Sequence, residues 1–483
     1  MTPFKQLAAL NASAPERVIF ADADGSLSVS DFHDRVLATA GHLLARGIGP
    51  GDNVAVYLPR GVQAAVAIHG VLAAGACYVP LDTGNPAQRN RHIVTDAQCR
   101  AVITGGDAPD WLAQTGVPSF EIQQPPAQTS ASALPDNTPA DNAAILYTSG
   151  STGTPKGVVL SHGAITAFCE WATTTFKLCG RDRVASLAPF HFDLSLFDLF
   201  AAPAAGAVTR FVPDALKLSP ARLVDWLREQ AITTWYTVPS ILVFIALRGG
   251  LRDQSLPELR QVLFAGEVFP PARLLELAGL LPQTAFYNLF GPTETNVCLY
   301  WPVDRSRLRA DQPVPVGLPA CQAHTRIDPE SGELLVKGPC LMSGYWRDGR
   351  PVLDTDADGW FHSGDRVSVN ARGEYEYHGR LDRMIKSAGY RVEPAEIEQV
   401  LGNAPGVTSV AVVGIPDPLS GTRIAAAVSS DTPDRQALQG YAGKTLAPYM
   451  RPYFYLFVPD MPCLPNGKKD YRQITRLIEQ ALP

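Results

Sequence analysis

Residues 147–157 read YTSGSTGTPKG, a run of glycines and hydroxyl side chains with one embedded lysine. Glycines let backbone N–H groups approach an anion, hydroxyls add donors, and Lys156 adds a point charge, so the chemistry offered is phosphate holding. A flexible Ser/Gly linker is the competing reading. It fits the context poorly, because the loop runs between two short apolar segments, 143–147 and 158–160. Lys156 is followed by Gly157 rather than by Ser or Thr, so this is not a GxxxxGK[ST] loop. Asp193 is the second conspicuous group. It interrupts the apolar, strand-like run FDLSLF (192–197), where an unpartnered carboxylate is costly to bury. It is either a hydrogen-bonded structural residue or the partner of a cation.

These groups need a scaffold, and the apolar periodicity supplies one. Between residues 28 and 212, helix-period segments (31–45, 61–74) alternate with short apolar runs (53–57, 99–104). A second series runs from 219 through 235–237 and 262–265 to 290. That alternation predicts an α/β fold with largely parallel sheets. Residues 123–142, rich in Pro, Gln, Ala and Ser, read as a surface connection. From 313 to 377 the chain changes to short strands with Gly and Pro turns, an antiparallel or barrel-like element. Beyond it, a charged loop, a helix from Pro394 and strands at 409–413 and 424–428 form a region of their own. A boundary is expected near Arg380–Asp382.

At 483 residues the chain is long enough for more than one core. A net charge of −6 and the lack of a basic stripe argue against a nucleic-acid partner. The apolar stretch 62–81 is read as a buried helix running into a strand rather than a membrane span. Eight scattered cysteines without metal-ligand spacing read as reduced thiols of a cytoplasmic protein.

With VLAAGACYVPLD (71–82), FHFDLSLFDLF (190–200), NLFGPTET (288–295), WFHSGDRV (360–367), GRLDRMIKSAGYRVEPAEIE (379–398) and LPNGKKD (464–470), in that order, the loop resembles the adenylate-forming superfamily. That superfamily includes acyl-CoA synthetases, luciferase and nonribosomal adenylation domains. The resemblance implies an ATP-using, AMP-forming ligase. Its fold would be an N-terminal core (1–379) of two stacked α/β subdomains plus a barrel-like subdomain, followed by a small mobile α+β lid (380–483).

It also implies roles, residue by residue. Thr148, Ser149, Gly150, Ser151, Thr152, Gly153 and Lys156 would hold the leaving pyrophosphate. Thr293 and Glu294 would contact the α-phosphate, with Glu294 binding Mg²⁺. Phe290 would stack on adenine beside Asn288 and Gly291, with Gly266 and Glu267 also on the nucleotide. Asp365 would take the ribose hydroxyls, near Arg380. Lys468 would reach the carboxylate and α-phosphate from the lid; Lys469 is the competing candidate. Asp382 would be the hinge, and its turning would bring Gly389 to line a pantetheine channel. Tyr471 and the sequence EPAEIE depart from the usual Arg and ELGEIE.

Asp193 matches the aspartate that pairs with an amino acid's ammonium group. Leu194, Phe197, Thr237, Leu263, Ala265, Leu289, Val297 and Cys298 match the rest of the pocket. This lining is apolar, so a small or cyclic apolar amino acid is expected. The set is close to that of stand-alone prolyl-AMP ligases, differing by a larger Phe197 and a smaller Thr237. A β-amino acid specificity and an acyl-CoA synthetase are the alternatives. A non-catalytic nucleotide-binding homologue is a third, opposed by the joint presence of Lys468, Glu294 and Asp365. Phe192 would gate the thiol channel. The chain ends soon after PNGKKD, so the expected acceptor is the phosphopantetheine of a separate carrier protein, with CoA as the alternative.

Overall fold

The computed structural model describes residues 2–122, 134–150, 154–251, 256–417, 421–430, 432, 434–463 and 469–482. Among them the chain forms two large sheets. One has nine strands, with a parallel centre made by Gln261–Phe264, Thr234–Thr237, Arg183–Ser186 and Val208–Phe211. The other has eight, with Asn142–Thr148, Cys77–Pro80, Asn53–Tyr57 and Cys99–Thr104 side by side. The strands at 53–57 and 99–104 and the helices Val29–Leu44 and Val62–Ala73 lie where the periodicity placed them.

Side chains alternate across each strand, and this sorts the sheets into layers. Tyr236 and Leu263 enter the core that both sheets share, with Val54, Val56 and Tyr78. Their neighbours Trp235, Val262 and Phe264 enter a separate core on the other face of the nine-stranded sheet. The helix Val62–Ala73 is buried over nearly its whole surface, which is why its sequence is apolar all round.

Residues 192–197 do not form the strand their alternation suggests. The chain turns, with Ser195 N–H donating to the Phe192 carbonyl at 3.0 Å and Leu196 N–H to Asp193 at 3.0 Å. The Ser195 hydroxyl also donates to the Phe192 carbonyl at 2.6 Å. A π-helical turn, Phe197–Ala201, follows. Local side-chain bonding thus replaces a strand ladder. The turn aims Asp193 into a cavity rather than across a sheet face. The buried His69 lies 3.1 Å by its Nε2 from the Leu199 carbonyl, tying the turn to the shared core.

A four-stranded antiparallel sheet (His324–Ile327, Glu333–Lys337, Phe361–Val369, Tyr375–Arg380) follows the large sheets. Beyond it come the hairpin Ile385–Ser387/Tyr390–Val392, the helix Pro394–Gly402 and a three-stranded sheet (Val407–Asp417, Gly421–Ser430, Phe454–Phe457). This C-terminal region has its own apolar core. It meets the N-terminal part through a buried Arg89–Glu396 ion pair. Glu396 belongs to the EPAEIE segment, so that departure lies on the contact between the two parts.

Candidate active site

The strands Asn142–Thr148 and Lys156–Ser161 pair antiparallel, with Thr148 opposite Lys156, and hold the glycine-rich loop at their ends. A Cβ on Gly150 would meet the Thr154 carbonyl at 1.9 Å, so only glycine fits there. Ser151, Thr152, Gly153 and Lys468 lie outside the described residues.

Lys156 reaches Glu294, with Nζ 3.2 Å from Oε1. Glu294 also takes Arg391 Nη1 at 2.8 and 3.0 Å and the Tyr345 hydroxyl at 2.6 Å. Burial alone would raise this carboxyl, yet Arg391, Lys156 and Tyr345 hold it well below the ordinary carboxylate range. Burial lowers Lys156 against the pull of Glu294.

Asp365 is fully buried at the end of the motif HSGD, and neither oxygen makes a hydrogen bond among the described residues. Arg380 Nη1 stands 3.1 Å away as an ion-pair partner. Two unused acceptors beside a cation suit a vicinal diol. Phe290 presents its ring nearby, 5.3 Å from that of Tyr377. Lys386 Nζ lies 4.8 Å from the centre of the Phe290 ring. Asn288, expected at the base edge, donates its amide to the Pro315 carbonyl at 2.8 Å. A Cβ on Gly291 would collide with the Asn296 carbonyl at 2.1 Å. Arg380 also grips Asp382 at 2.9 and 2.6 Å.

Beside these groups, a cavity of about 40 Å³ is lined by Phe192, Asp193, Leu194, Tyr236, Ala265, Phe290, Thr293 and Val297. Among the described residues no basic side chain lies within ion-pairing distance of Asp193. Burial pushes its carboxyl up to about 6, against the Thr293 hydroxyl and the Leu194 N–H. Phe197, Leu263, Leu289 and Cys298 stand in the shared core rather than on the cavity wall.

Thr237 is not on this wall either. It lines an adjoining apolar channel of about 210 Å³ with Leu187, Val238, Ile241, Ala388 and Tyr390. Consecutive strand residues face opposite sides, so Tyr236 takes the place in the pocket. Its ring lies 5.6 Å from Phe197. Phe192 and Leu194 line both cavities, which puts Phe192 between pocket and channel. Alternation within residues 234–237 was the signal that would have chosen Tyr236.

The C-terminal hairpin supplies the remaining wall through Met384, Lys386, Gly389 and Arg391. Gly389, at φ +80°, is pressed against Val238 and Phe192, where a Cβ would come within 2.4 Å of Val238. Glu267, expected on the nucleotide, is turned to this hairpin instead. It accepts from Gly389 N–H at 2.8 Å and from Ser240 N–H at 2.8 Å. Burial pushes it up to about 7. Lys469 lies 3.7 Å from Glu398 and donates to the Val410 carbonyl, so it is engaged within the C-terminal region.

Residues 7–346 match the AMP-binding enzyme family, and residues 396–468 match the AMP-binding enzyme C-terminal domain. The chain belongs to the AMP-binding enzymes. It is an AMP-forming ligase that uses ATP. An L-proline–[L-prolyl-carrier protein] ligase of Streptomyces coelicolor is 38% identical to this AMP-binding enzyme, over 96% of this chain and 94% of the relative. The corresponding ligase of Pseudomonas fluorescens is 33% identical, over 97% of each. Among solved structures, the amide bond synthetase McbA from Marinactinospora thermotolerans superposes with a TM-score of 0.86 at 25% identity, over 99% of each chain. A protein with adenylation and PCP domains shares the fold at a TM-score of 0.84 and 22% identity.

Among the described residues no cluster of three His, Cys, Asp or Glu side chains can hold a metal ion. Glu294 offers one hard carboxylate, and phosphate oxygens would complete the shell of a Mg²⁺ ion that arrives with the nucleotide. The donor set therefore fits a cation carried by substrate.

Proposed function

We propose that this enzyme activates L-proline as prolyl-AMP and passes the prolyl group to the phosphopantetheine thiol of a carrier protein. The observation that carries this reading is Asp193, buried in a small, mostly apolar cavity with no basic side chain at ion-pairing distance among the described residues. A substrate ammonium completes that charge, and the hydrocarbon walls favour a compact ring. Tyr236 provides a large side chain on the cavity wall, where the small Thr237 was expected. The two prolyl-carrier ligases, similar over nearly the full chain, support the same substrate and acceptor.

In the first half-reaction Asp193 holds the ammonium and Phe192 and Tyr236 bound the ring. Phe290 stacks on adenine and Asp365 accepts the ribose diol. The amino acid carboxylate attacks the α-phosphorus and pyrophosphate leaves. Lys156 and the loop 148–153 hold the leaving phosphates. Glu294 would hold a Mg²⁺ ion arriving with the nucleotide, which would neutralise their charge. Lys468 is assigned to the carboxylate and α-phosphate oxygens, and Asp382 to the hinge between 1–379 and 380–483. In the second half-reaction a thiol arriving past Thr237 and Val238 attacks the acyl carbon, and AMP leaves with the electron pair. Eight cysteines without a disulfide fit a cytoplasmic setting.

The test is ATP–pyrophosphate exchange with proline, alanine, β-alanine, pipecolate and fatty acids. Proline should support the highest kcat/KM. Exchange with fatty acids alone, or with β-alanine above proline, overturns the assignment, and no exchange with any acid points to a non-catalytic binding protein.

A further inference from the structure

The channel that adjoins the pocket is apolar except at one place. Among the described residues, Lys217 is the only charged side chain on its wall. The same lysine lines a second, polar cavity of about 130 Å³, which shares Pro189 and Tyr390 with the channel and is also walled by Arg60, Asp82 and His191. Lys217 Nζ lies 2.9 Å from Asp214 Oδ1, and Arg60 Nη2 lies 2.9 Å from the same oxygen. Arg60 is fixed there by the Ser186 carbonyl, at 2.5 Å from Nη1, and by the Val212 carbonyl. Its Nε is buried with no hydrogen-bond partner among the described residues. Asp82 is engaged elsewhere, 3.8 Å from His191 Nε2 and accepting from the Gly84 N–H at 2.8 Å. Two cations thus share the one carboxylate of Asp214, and this corner keeps positive charge to spare. The next residue stands out for another reason. Leu216 is packed into the core behind the nine-stranded sheet, whereas Leu218 is 89% exposed, more than any other large apolar side chain described. A single bare leucine is ordinary, but this one lines the channel beside its one charge.

We infer that Lys217 and Leu218 form the landing point of the acceptor. Lys217, with Arg60 behind it, takes the phosphate that joins the pantetheine arm to its carrier protein, and Leu218 takes an apolar side chain on the carrier's surface. The inference rests on the thiol-transfer reading above. The thiol end and the amide-and-hydrocarbon stem of the arm are uncharged and suit an apolar channel. Only the phosphate carries charge, and it stays at the carrier's surface, so a cation is needed at the rim and not along the wall. Free CoA brings phosphates but no apolar face for Leu218. The pair therefore selects an arm borne by a protein.

Prolyl transfer to three kinds of thiol tests this: pantetheine, 4′-phosphopantetheine and a panel of holo carrier proteins. In the wild type, kcat/KM for 4′-phosphopantetheine should exceed that for pantetheine by about three- to tenfold, the range of an ion pair at a half-exposed site. That ratio should shrink as salt is raised. Lys217→Met should bring it to about one, and Lys217→Arg should restore it. Leu218→Gln should keep the ratio and lower kcat/KM about tenfold for the carrier that the wild type charges best. Comparing two small thiols on one variant cancels any effect of the substitution on folding or on adenylate formation. An unchanged ratio in Lys217→Met overturns the phosphate site. A carrier charged equally well by the wild type and by Leu218→Gln overturns the docking point, as does a wild type that charges every carrier no faster than the free arm. If no thiol is charged at all, the acceptor reading fails. Calorimetry of the two small thiols on the enzyme holding a non-hydrolysable prolyl-adenylate analogue then decides the Lys217 site by itself, and equal affinities overturn it.

Discussion

The two halves of the site neutralise charge by opposite means. On the side proposed to hold phosphate, Glu294 is met by Lys156, Arg391 and Tyr345 together, so every charge has several partners. On the side proposed to hold the amino acid, Asp193 stands without a basic partner among the described residues, in a cavity walled by Phe192, Leu194 and Tyr236. A network with several partners tolerates the loss of one, whereas a solitary buried charge makes its ligand indispensable. Tolerance to substitution should therefore be asymmetric across the site.

Removing the solitary charge should have the largest effect. Asp193→Ala should lower kcat/KM for proline by about 3–5 kcal/mol, the cost of leaving a buried ammonium unpaired. Steady-state exchange measures it, and a loss below tenfold would erase the contrast between the two halves. Acidity probes the same carboxylate. Its ionised form is the one proposed to bind the ammonium, and burial places its midpoint at about 6. The KM for proline should then be flat above pH 7 and rise about tenfold per unit below 6, while the KM for ATP rises less.

Shape comes next. Tyr236→Ala should enlarge the pocket and shift kcat/KM from proline towards pipecolate by roughly tenfold, the range of one or two methylenes. Thr237→Ala should leave that ratio unchanged, because Thr237 faces the channel. Equal shifts from both would refute the placement of Tyr236. Smaller still, Tyr345→Phe removes one of the partners of Glu294 and should cost about 0.5–1.5 kcal/mol in exchange.

Outside this contrast, Asp198 is fully buried, neither oxygen finds a hydrogen bond among the described residues, and burial pushes it up to about 8. Its folded value lies above its ordinary one, so stability is intact below about pH 4 and declines as pH rises from 4 to 8. Asp198→Asn should be stabilising at pH 8, by about 1–3 kcal/mol, and neutral at pH 4. Chemical denaturation at the two pH values reads the difference.

Much of the scaffold was legible because its periods are strong. The strands 53–57 and 99–104 and the helix 62–73 lie where apolar spacing placed them, since sheets and buried helices impose spacings of two and of three to four. The run 192–197 was misread for the same reason. Its alternation satisfies a strand, and only the Ser195 hydroxyl on the Phe192 carbonyl shows why the chain turns instead. The motifs placed Asp193, Asp365, Lys156 and Glu294 around one site. They gave no hint that Asn288 is bound to Pro315, or that Glu267 faces the hairpin.

The sequence alone determined the glycine-rich loop, the acid of the pocket and the alternating layers, because each is written in local residue type and spacing. Tertiary structure alone decided which of Tyr236 and Thr237 faces the pocket, since that depends on which sheet face meets the shared core. It alone decided that Arg391 lies on Glu294, 97 positions away. Two charges so far apart in the chain become partners only when separately folded parts are packed together, and no local spacing encodes that encounter.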